Sequence, residues 1–188
     1  MSGLKTNHID LSFPHAWDAE ILSMRPLILP PRHFVYPQQV EEVERGALEV
    51  MVRPAHAPEF LATCALGFRD PAAPSGIWSA PHPEDLCAVS GGYAYLIRTR
   101  VPERFHRIPY RPVLQVLPAI EARLLLFVGH RGILGWGVAG HAWESPKLSD
   151  EGVMITGIEG SLLRGSGWNM FTDKETPFLL DLSSGCVV

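Results

Sequence analysis

The chain has 188 residues, of which 46% are hydrophobic and 19% are charged. This length fits one domain or two small lobes with a shared core, and the composition excludes an intrinsically disordered chain. The formal net charge of −4 provides no overall attraction to nucleic acid or to an anionic membrane, so neither partner is expected.

The N-terminal sequence and the cysteines indicate a cytosolic protein. The opening stretch, MSGLKTNHIDLSFPHAW, lacks the apolar core of a secretory signal. Cys64, Cys87 and Cys186 are odd in number and widely spaced, which favours reduced thiols over a disulfide framework. The longest apolar run near the centre of the chain, 124–128, is far too short to span a membrane. We therefore expect a soluble, cytoplasmic protein.

Residues 1–45 predict an irregular, proline-rich N-terminal arm. Prolines at positions 14, 26, 30, 31 and 37 interrupt any regular helix or central strand. Trp17, Phe34 and Tyr36 indicate that the arm packs over the rest of the protein, because these large rings are rarely left in solvent. Residues 38–45 fit either a short helix or the lead-in to a strand, and both interpretations stay open.

Beyond the arm, the chain predicts antiparallel meander strands with little helix. Residues 46–53 and residues 153–158 alternate between faces as strands do. The pair EG at 159–160 suits a tight hairpin turn, and SSG at 183–185 suits a second one. A proline opens the last predicted strand, 178–182. The predicted class is mainly β.

Several landmarks indicate that residues 46–188 form a single β domain with a duplicated unit. WSAP at 78–81 recurs as WESP at 143–146, an offset of 65 residues, and a proline precedes an apolar run at both 112 and 177. We therefore predict two pseudo-repeats of about 65 residues, 54–118 and 119–184. Two such units bury their apolar faces together or join edge to edge, as a sandwich, a closed barrel or a propeller-like array.

One segment stands out by its charge. Residues 98–111, RTRVPERFHRIPYR, carry five arginines against one glutamate, a local charge of +4 in a chain of −4. Alternation places Arg98 and Arg100 on one strand face, where a planar anion or an acidic partner binds well. The candidate contact patch comprises Arg98, Arg100, Arg104, Arg107 and Tyr110. The alternative is a solvated outer face on which the arginines cover apolar neighbours.

A second candidate site lies among aromatic and histidine residues of the second predicted unit. Trp136, His141, Trp143 and Trp168 define an alternative pocket between the two units, suited to a small ligand or to a hydrolytic enzyme. Trp78 and Trp143 occupy equivalent places at the offset of 65 residues, so core packing in both units is the simpler interpretation.

The sequence contains no catalytic or metal-binding motif. His141 and Glu144 are three residues apart, so on one strand they point to opposite faces, and no close pair of histidines accompanies them. The serine at 166 lacks a Gly-x-Ser-x-Gly elbow. The SGG step at 90–92 is too short for a phosphate loop. Hence we predict no metal, no cofactor and no catalytic residue.

Seven blocks between about residues 45 and 185 are distinctive: RGALEVMVRP, FLATCALGFRDPAAPSGIWSAP, LCAVSGGYAYLI, RPVLQV, LLLFVGHRGILGWG, LSDEGVMITGIEG and GWNMFTDKETPFLLDLSSG. Together they resemble a family of uncharacterised β-rich proteins of bacteria and plants. That family has no assigned activity. The resemblance therefore implies a compact, non-secreted, all-β protein and leaves its function open.

These observations predict a non-enzymatic binding or interaction protein of the cytosol, which recognises an unknown protein or a small anionic ligand. The alternative is a small-ligand-binding protein or hydrolytic enzyme with its pocket between the two units. A homodimer that buries open strand edges or the aromatic face is a third alternative.

Overall fold

A computed structural model describes residues 7–38, 45–70 and 72–188 of the chain. The protein divides into two compact units, Met1–Pro112 (unit 1) and Val113–Val188 (unit 2). The described residues form sixteen β-strands and no helix, so the predicted mainly β class is confirmed. No helix among them has the length and apolar character needed to cross a lipid bilayer. The segment 38–45 was predicted as a short helix or as the lead-in to a strand. Its residues 39–44 lie outside the described part of the chain.

The strands are numbered in chain order. In unit 1 they are β1 (His8–Asp10), β2 (Trp17–Leu22), β3 (His33–Tyr36), β4 (Ala47–Pro54), β5 (Phe60–Ala65), β6 (Gly76–Ser79), β7 (Asp85–Ser90), β8 (Tyr93–Arg98) and β9 (Phe105–Arg107). In unit 2 they are β10 (Gln115–Ala119), β11 (Leu124–Val128), β12 (Ile133–Gly137), β13 (Gly140–Glu144), β14 (Val153–Glu159), β15 (Leu162–Asn169) and β16 (Lys174–Asp181).

Unit 1 contains two sheets that share one core. The first sheet has the strand order β1-β6-β7-β8-β9, and the second has the order β2-β4-β5-β3. Because side chains alternate between the faces of a strand, every second residue enters the core, including Val50 and Val52 of β4 and Leu86 and Ala88 of β7. Phe60 of β5 is fully buried among them.

The N-terminal stretch, predicted to be irregular, contains three of these strands. β1 pairs in parallel with β6 and β3 in parallel with β5, whereas β2 pairs antiparallel with β4. The prolines lie between these strands and not within them, so short strands fit into the intervals. Trp17 and Tyr36 belong to the unit 1 core. The indole N–H of Trp17 donates to the carbonyl oxygen of Asp85 over 3.2 Å.

Antiparallel meanders form most of the remaining sheet structure, as predicted. Gly91 and Gly92 make the turn between β7 and β8 with φ of 55° and 79°, the positive values that a type I′ hairpin requires. The predicted turn at 159–160 is present between β14 and β15. After β16, the turn at 183–185 returns the chain so that Leu180 bridges Val187.

Unit 2 also contains two sheets with a shared core. Their strand orders are β10-β11-β12-β13 and β14-β15-β16, and the core includes Leu126, Ile133, Leu163 and Leu180. Within the described parts of the chain, each of the four sheets ends at two different edge strands and none closes on itself. The described residues therefore do not form the closed barrel, which was one of the three architectures predicted from the sequence.

The predicted duplication is not confirmed. Trp78 lies on β6, which pairs with the following strand β7, whereas Trp143 lies on β13, which pairs with the preceding strand β12. The Trp78 ring stacks on His8 with 5.0 Å between ring centroids. The Trp143 indole N–H instead donates to the carbonyl oxygen of Leu182 over 2.8 Å. The two tryptophans thus differ in both their strand neighbours and their contacts.

Candidate functional site

Arg98 and Arg100 of the predicted patch bind acidic residues at the start of β7. Arg98 Nε donates to Asp85 Oδ1 over 2.5 Å, and Arg98 Nη1 lies 3.9 Å from Glu84 Oε2. Arg100 Nη1 donates to Glu84 Oε1 over 3.0 Å. β8 ends at Arg98, so Arg100 lies in the following turn, and the two arginines do not share a strand face as predicted. Both guanidinium groups nevertheless lie close to the Glu84 carboxylate.

Asp85 gives Arg98 a structural role. The Asp85 residue is only 7% exposed. Burial raises the pKa of its carboxyl above the ordinary value, while the Arg98 guanidinium acts in the opposite direction. Arg98 is therefore the counter-ion of a buried acid. Because Asp85 already neutralises much of its charge, Arg98 attracts an external anion only weakly.

The other three patch residues are spread along the next turn and strand. Arg104 is exposed, and its carbonyl oxygen accepts the Arg98 backbone N–H over 3.0 Å. Arg107 is half-buried and lies opposite Tyr95, a core residue of β8. Directly paired residues share a face, so Arg107 and Arg98 are on opposite sides of the sheet. Tyr110 is half-buried after β9. The five residues do not form one continuous cationic face.

All four residues predicted for the alternative pocket lie in unit 2: Trp136, His141, Trp143 and Trp168. Trp136 on β12 and Trp143 on β13 are buried, His141 on β13 is exposed, and Trp168 on β15 is half-buried. Trp143 belongs to the unit 2 core. A Cβ added at either Gly135 or Gly185 would lie 2.6 Å from its ring. This close contact supports a packing role for Trp143.

A cleft of about 1040 Å³ opens in unit 1. Strands β2 and β4 line it together with residues of β1 and of the segment after β5. Its lining is mixed: Ile9, Leu48, Leu66 and Phe68 are apolar, and Arg45, Arg53 and Arg69 are basic. We call this feature the unit 1 cleft.

Arg53 is the most heavily paired of the three basic residues that line the cleft. Its guanidinium lies 3.4 Å from Asp18, 3.1 Å from Glu20 and 3.6 Å from Glu59. Asp18 stands directly opposite Arg53 in the β2–β4 register, so the sheet itself holds the first pair together. Three carboxylates surround one guanidinium here, and this part of the cleft therefore has no excess positive charge.

At another part of the cleft, the lining residues Arg45, Phe68 and Arg69 continue into Tyr93 and Arg111 beside it. Arg69 Nη2 donates to the Arg45 carbonyl oxygen over 3.0 Å. Phe68 packs edge-on against Tyr93 with 5.8 Å between ring centroids, and the Arg111 guanidinium lies 5.6 Å from the centre of the Tyr93 ring. The three arginines are exposed, and Phe68 is 40% exposed. We call these five residues the basic–aromatic rim.

Two glycines allow the close approach on which this rim depends. A Cβ added to Gly67 would lie 2.3 Å from the Tyr93 ring, and a Cβ added to Gly91 would lie 2.4 Å from the Phe68 carbonyl oxygen. Gly91 also has φ of 55°, a left-handed conformation that favours glycine. The Phe68 N–H donates to the Gly91 carbonyl oxygen over 2.8 Å. The rim therefore rests on a fixed backbone.

Glu49 links the unit 1 cleft to a neighbouring cleft of about 340 Å³, since it lines both. One of its carboxylate oxygens accepts from Arg25 Nε over 2.8 Å, and the other accepts from the Thr63 hydroxyl over 2.5 Å. His33 Nε2 lies 2.8 Å from the same hydroxyl. Burial, assisted by the Arg25 charge, lowers the pKa of His33, and Glu49 opposes this shift. Both Glu49 oxygens are occupied, so the residue is a structural acid.

The described residues contain no group of three or more His, Cys, Asp or Glu side chains arranged to hold a metal ion. Cys64 and Cys87 are buried free thiols, and Cys186 is an exposed one. Burial raises the pKa of Cys64 and of Cys87, so both remain protonated at neutral pH and act as packing residues.

Of the basic–aromatic rim, the charge pattern of the sequence singled out only Arg111. Arg45 and Arg69 are isolated basic residues with no motif around them. They meet because β4 and β5 form a hairpin in which Ala47 pairs with Ala65. Arg45 precedes the first strand and Arg69 follows the second, so a hairpin between these two strands, which was not predicted from the sequence, was the signal that could have brought them together.

Comparisons with known proteins give no family assignment. No protein-family model matches the chain, and no curated protein and no solved structure matches it.

Proposed function

We propose that this is a non-enzymatic binding protein that recognises an anionic partner through the basic–aromatic rim of unit 1. The partner is a small anion with an apolar part or an acidic segment of another protein. Its carboxylate or phosphate groups bind the arginines, and its apolar part lies against Phe68. The three free thiols support a reducing compartment such as the cytosol.

The arrangement of three exposed arginines around an aromatic pair carries this proposal. The Arg69 side chain donates a hydrogen bond to the backbone carbonyl oxygen of Arg45. The Arg111 guanidinium lies over the Tyr93 ring. A guanidinium group offers a planar fork of donors that fits carboxylate and phosphate. Phe68 adds partly exposed apolar area beside it. Rigid aromatic and arginine side chains are enriched at binding surfaces.

Arg98 and Arg100 of the predicted patch are weaker candidates for anion binding than the arginines of the basic–aromatic rim. Both of those arginines already bind Glu84 or Asp85, and an incoming anion must compete with those acids. Arg104 is exposed, but it lies in the turn after the end of β8, whereas Tyr93 of the rim is at the start of that strand. Arg107 and Tyr110, both half-buried, are weaker candidates.

The enzyme alternative requires titratable groups that converge on a reacting atom. Among the described residues of unit 1, the buried carboxylates of Glu49 and Asp85 are each bound by an arginine. In unit 2, Trp143 packs in the core, and exposed His141 lies on the same strand. These contacts favour stabilising roles for the polar residues, and we propose binding without catalysis.

Isothermal titration calorimetry at low ionic strength, where exposed charges are least screened, tests the proposal. The probes are a hexaglutamate peptide and inorganic phosphate. We expect saturable binding of at least one probe. In the double variant Arg69→Gln/Arg111→Gln we expect affinity to fall by about tenfold or more, since two charge-assisted contacts are lost.

The matched control is Arg164→Gln in unit 2, where Arg164 is similarly exposed and pairs with Glu159 over 2.9 Å. We expect this variant to bind as the wild type does. Absence of binding by both probes contradicts the proposal, and so does an equal loss of affinity in the control. A loss confined to Arg104→Gln assigns recognition to the predicted patch instead.

A further inference from the structure

The loop between β2 and β3 exposes the most solvent-accessible aliphatic side chains among the described residues. Leu27 is 102% exposed, Ile28 is 88% exposed, and Met24 is 72% exposed. Soluble proteins rarely leave neighbouring large aliphatic residues so fully in water unless the surface meets a partner. We call residues 23–32 the tip loop.

The tip loop is anchored at both ends, so its apolar tip projects from a fixed base. At one end Arg25 Nε donates to the Glu49 carboxylate over 2.8 Å. At the other end Arg32 Nη1 donates to the Pro58 carbonyl oxygen over 2.6 Å, and the Arg32 guanidinium lies 5.6 Å from the centre of the Phe34 ring. The exposure of the tip is therefore a feature of the folded unit 1.

Two features of the sequence suit this loop to a lipid surface. Pro26, Pro30 and Pro31 have no backbone N–H, so they leave fewer unpaired donors when the loop enters an apolar medium. From Ile21 to Gln38 the chain contains no aspartate or glutamate, although the whole protein has a net charge of −4. This acid-free segment minimises repulsion from an anionic bilayer.

We propose that the tip loop docks the protein on a lipid bilayer by inserting Leu27 and Ile28 into the interfacial region. Consecutive side chains at a bend point in different directions, and a fluid acyl layer accommodates them without the matched shape that a protein pocket needs. Arg32, at the base, lies where phospholipid headgroups would be. Arg25 is already paired with Glu49, so we expect insertion to contribute more than charge. This proposal is independent of anion binding at the basic–aromatic rim.

Co-sedimentation with vesicles tests the proposal, using phosphatidylcholine alone and an equimolar mixture of phosphatidylcholine and phosphatidylserine. We expect the full chain to partition onto both vesicles. In the double variant Leu27→Ser/Ile28→Ser we expect the partition coefficient to fall by about tenfold or more, because two aliphatic side chains no longer enter the bilayer. Both side chains are exposed, so an unchanged unfolding midpoint will show that the variant is folded.

The matched control is Phe171→Ser in unit 2, since Phe171 is also an apolar turn residue and is 87% exposed. We expect the control to partition as the wild type does. The proposal is overturned if the wild type does not sediment with either vesicle, or if both variants lose binding equally. It is also overturned if light scattering shows a dimer that the tip variant abolishes, because the tip then binds a second copy of the chain.

Discussion

Thr63 donates its hydroxyl hydrogen to Glu49 over 2.5 Å, and the two residues stand directly opposite each other on β5 and β4. Thr63 is fully buried and Glu49 is 6% exposed. Because the single hydroxyl hydrogen goes to Glu49, the contact of Thr63 with His33 requires His33 Nε2 to carry a hydrogen and donate it. The network therefore has a defined direction, from His33 through Thr63 to the carboxylate.

Replacing Thr63 with valine will leave both the Glu49 oxygen and the His33 N–H without this partner. We expect Thr63→Val to lower the free energy of unfolding by about 1–3 kcal/mol, the cost of unpaired buried polar groups. Urea titration will measure this change. The control is Thr156→Val, an exposed threonine on β14, for which we expect about 0.5 kcal/mol or less. Equal effects of the two variants will contradict the network's role.

His33 makes stability depend on pH. Burial and the Arg25 charge hold its folded-state pKa below the ordinary value of 6.5, so the unfolded chain binds the proton first as pH falls. Stability attributable to His33 is complete above about pH 6.5 and is lost progressively below it. His33→Gln keeps a donor but does not titrate. We expect its unfolding free energy to fall less than that of the wild type between about pH 6.5 and 5. If the unfolding free energies of the wild type and His33→Gln change in parallel with pH, the pH dependence does not come from His33.

Arg98 and Arg100 provide a direct comparison of a buried and an exposed ion pair. Asp85, the partner of Arg98, has a side chain that is 10% exposed, whereas the Arg100 side chain is 54% exposed. We expect Arg98→Gln to cost about 2–4 kcal/mol, because a buried carboxylate loses its counter-ion. We expect Arg100→Gln to cost about 1 kcal/mol or less. Thermal and urea unfolding will check both values, and similar costs for the two variants will contradict the structural role of Arg98.

The sequence predicted those parts of the fold that depend on local patterns. The turn at 159–160 and the strand at 46–53 were expected, and β4 and the β14–β15 hairpin confirm them. The short strands of the N-terminal stretch were missed. β1 has three residues, and its parallel partner β6 is more than sixty residues away along the chain, so no local periodicity identifies it.

The candidate site shows the same division between local and distant information. The arginine-rich segment 98–111 is visible in the sequence, but its local charge does not show that Glu84 and Asp85 bind Arg98 and Arg100. Asp85 is the first residue of the preceding strand, β7, and Glu84 comes directly before it. The meeting of Arg45 and Arg69 depends likewise on the pairing of β4 with β5, because side-chain neighbours across strands are set by register.

Gly135 and Gly157 allow a test of close packing in unit 2. A Cβ at Gly135 would lie 2.6 Å from the Trp143 ring, whereas a Cβ at Gly157 would meet no atom within 4 Å. We therefore expect Gly135→Ala to destabilise the protein by about 1–3 kcal/mol through overpacking. We expect Gly157→Ala to change stability by about 0.5 kcal/mol or less. The measurement is the shift of the urea midpoint at constant slope.

A double variant shows whether the Trp143 ring is the obstacle to an alanine at position 135. Trp143→Phe removes the larger ring system and also the N–H that donates to Leu182. This single change will therefore itself destabilise unit 2. If the indole blocks Gly135→Ala, the double variant Gly135→Ala/Trp143→Phe will be more stable than the sum of the single changes predicts, because the smaller ring relieves the contact. Strict additivity will instead show that the two residues do not interact, and that the Trp143 ring is not the obstacle to an alanine at position 135.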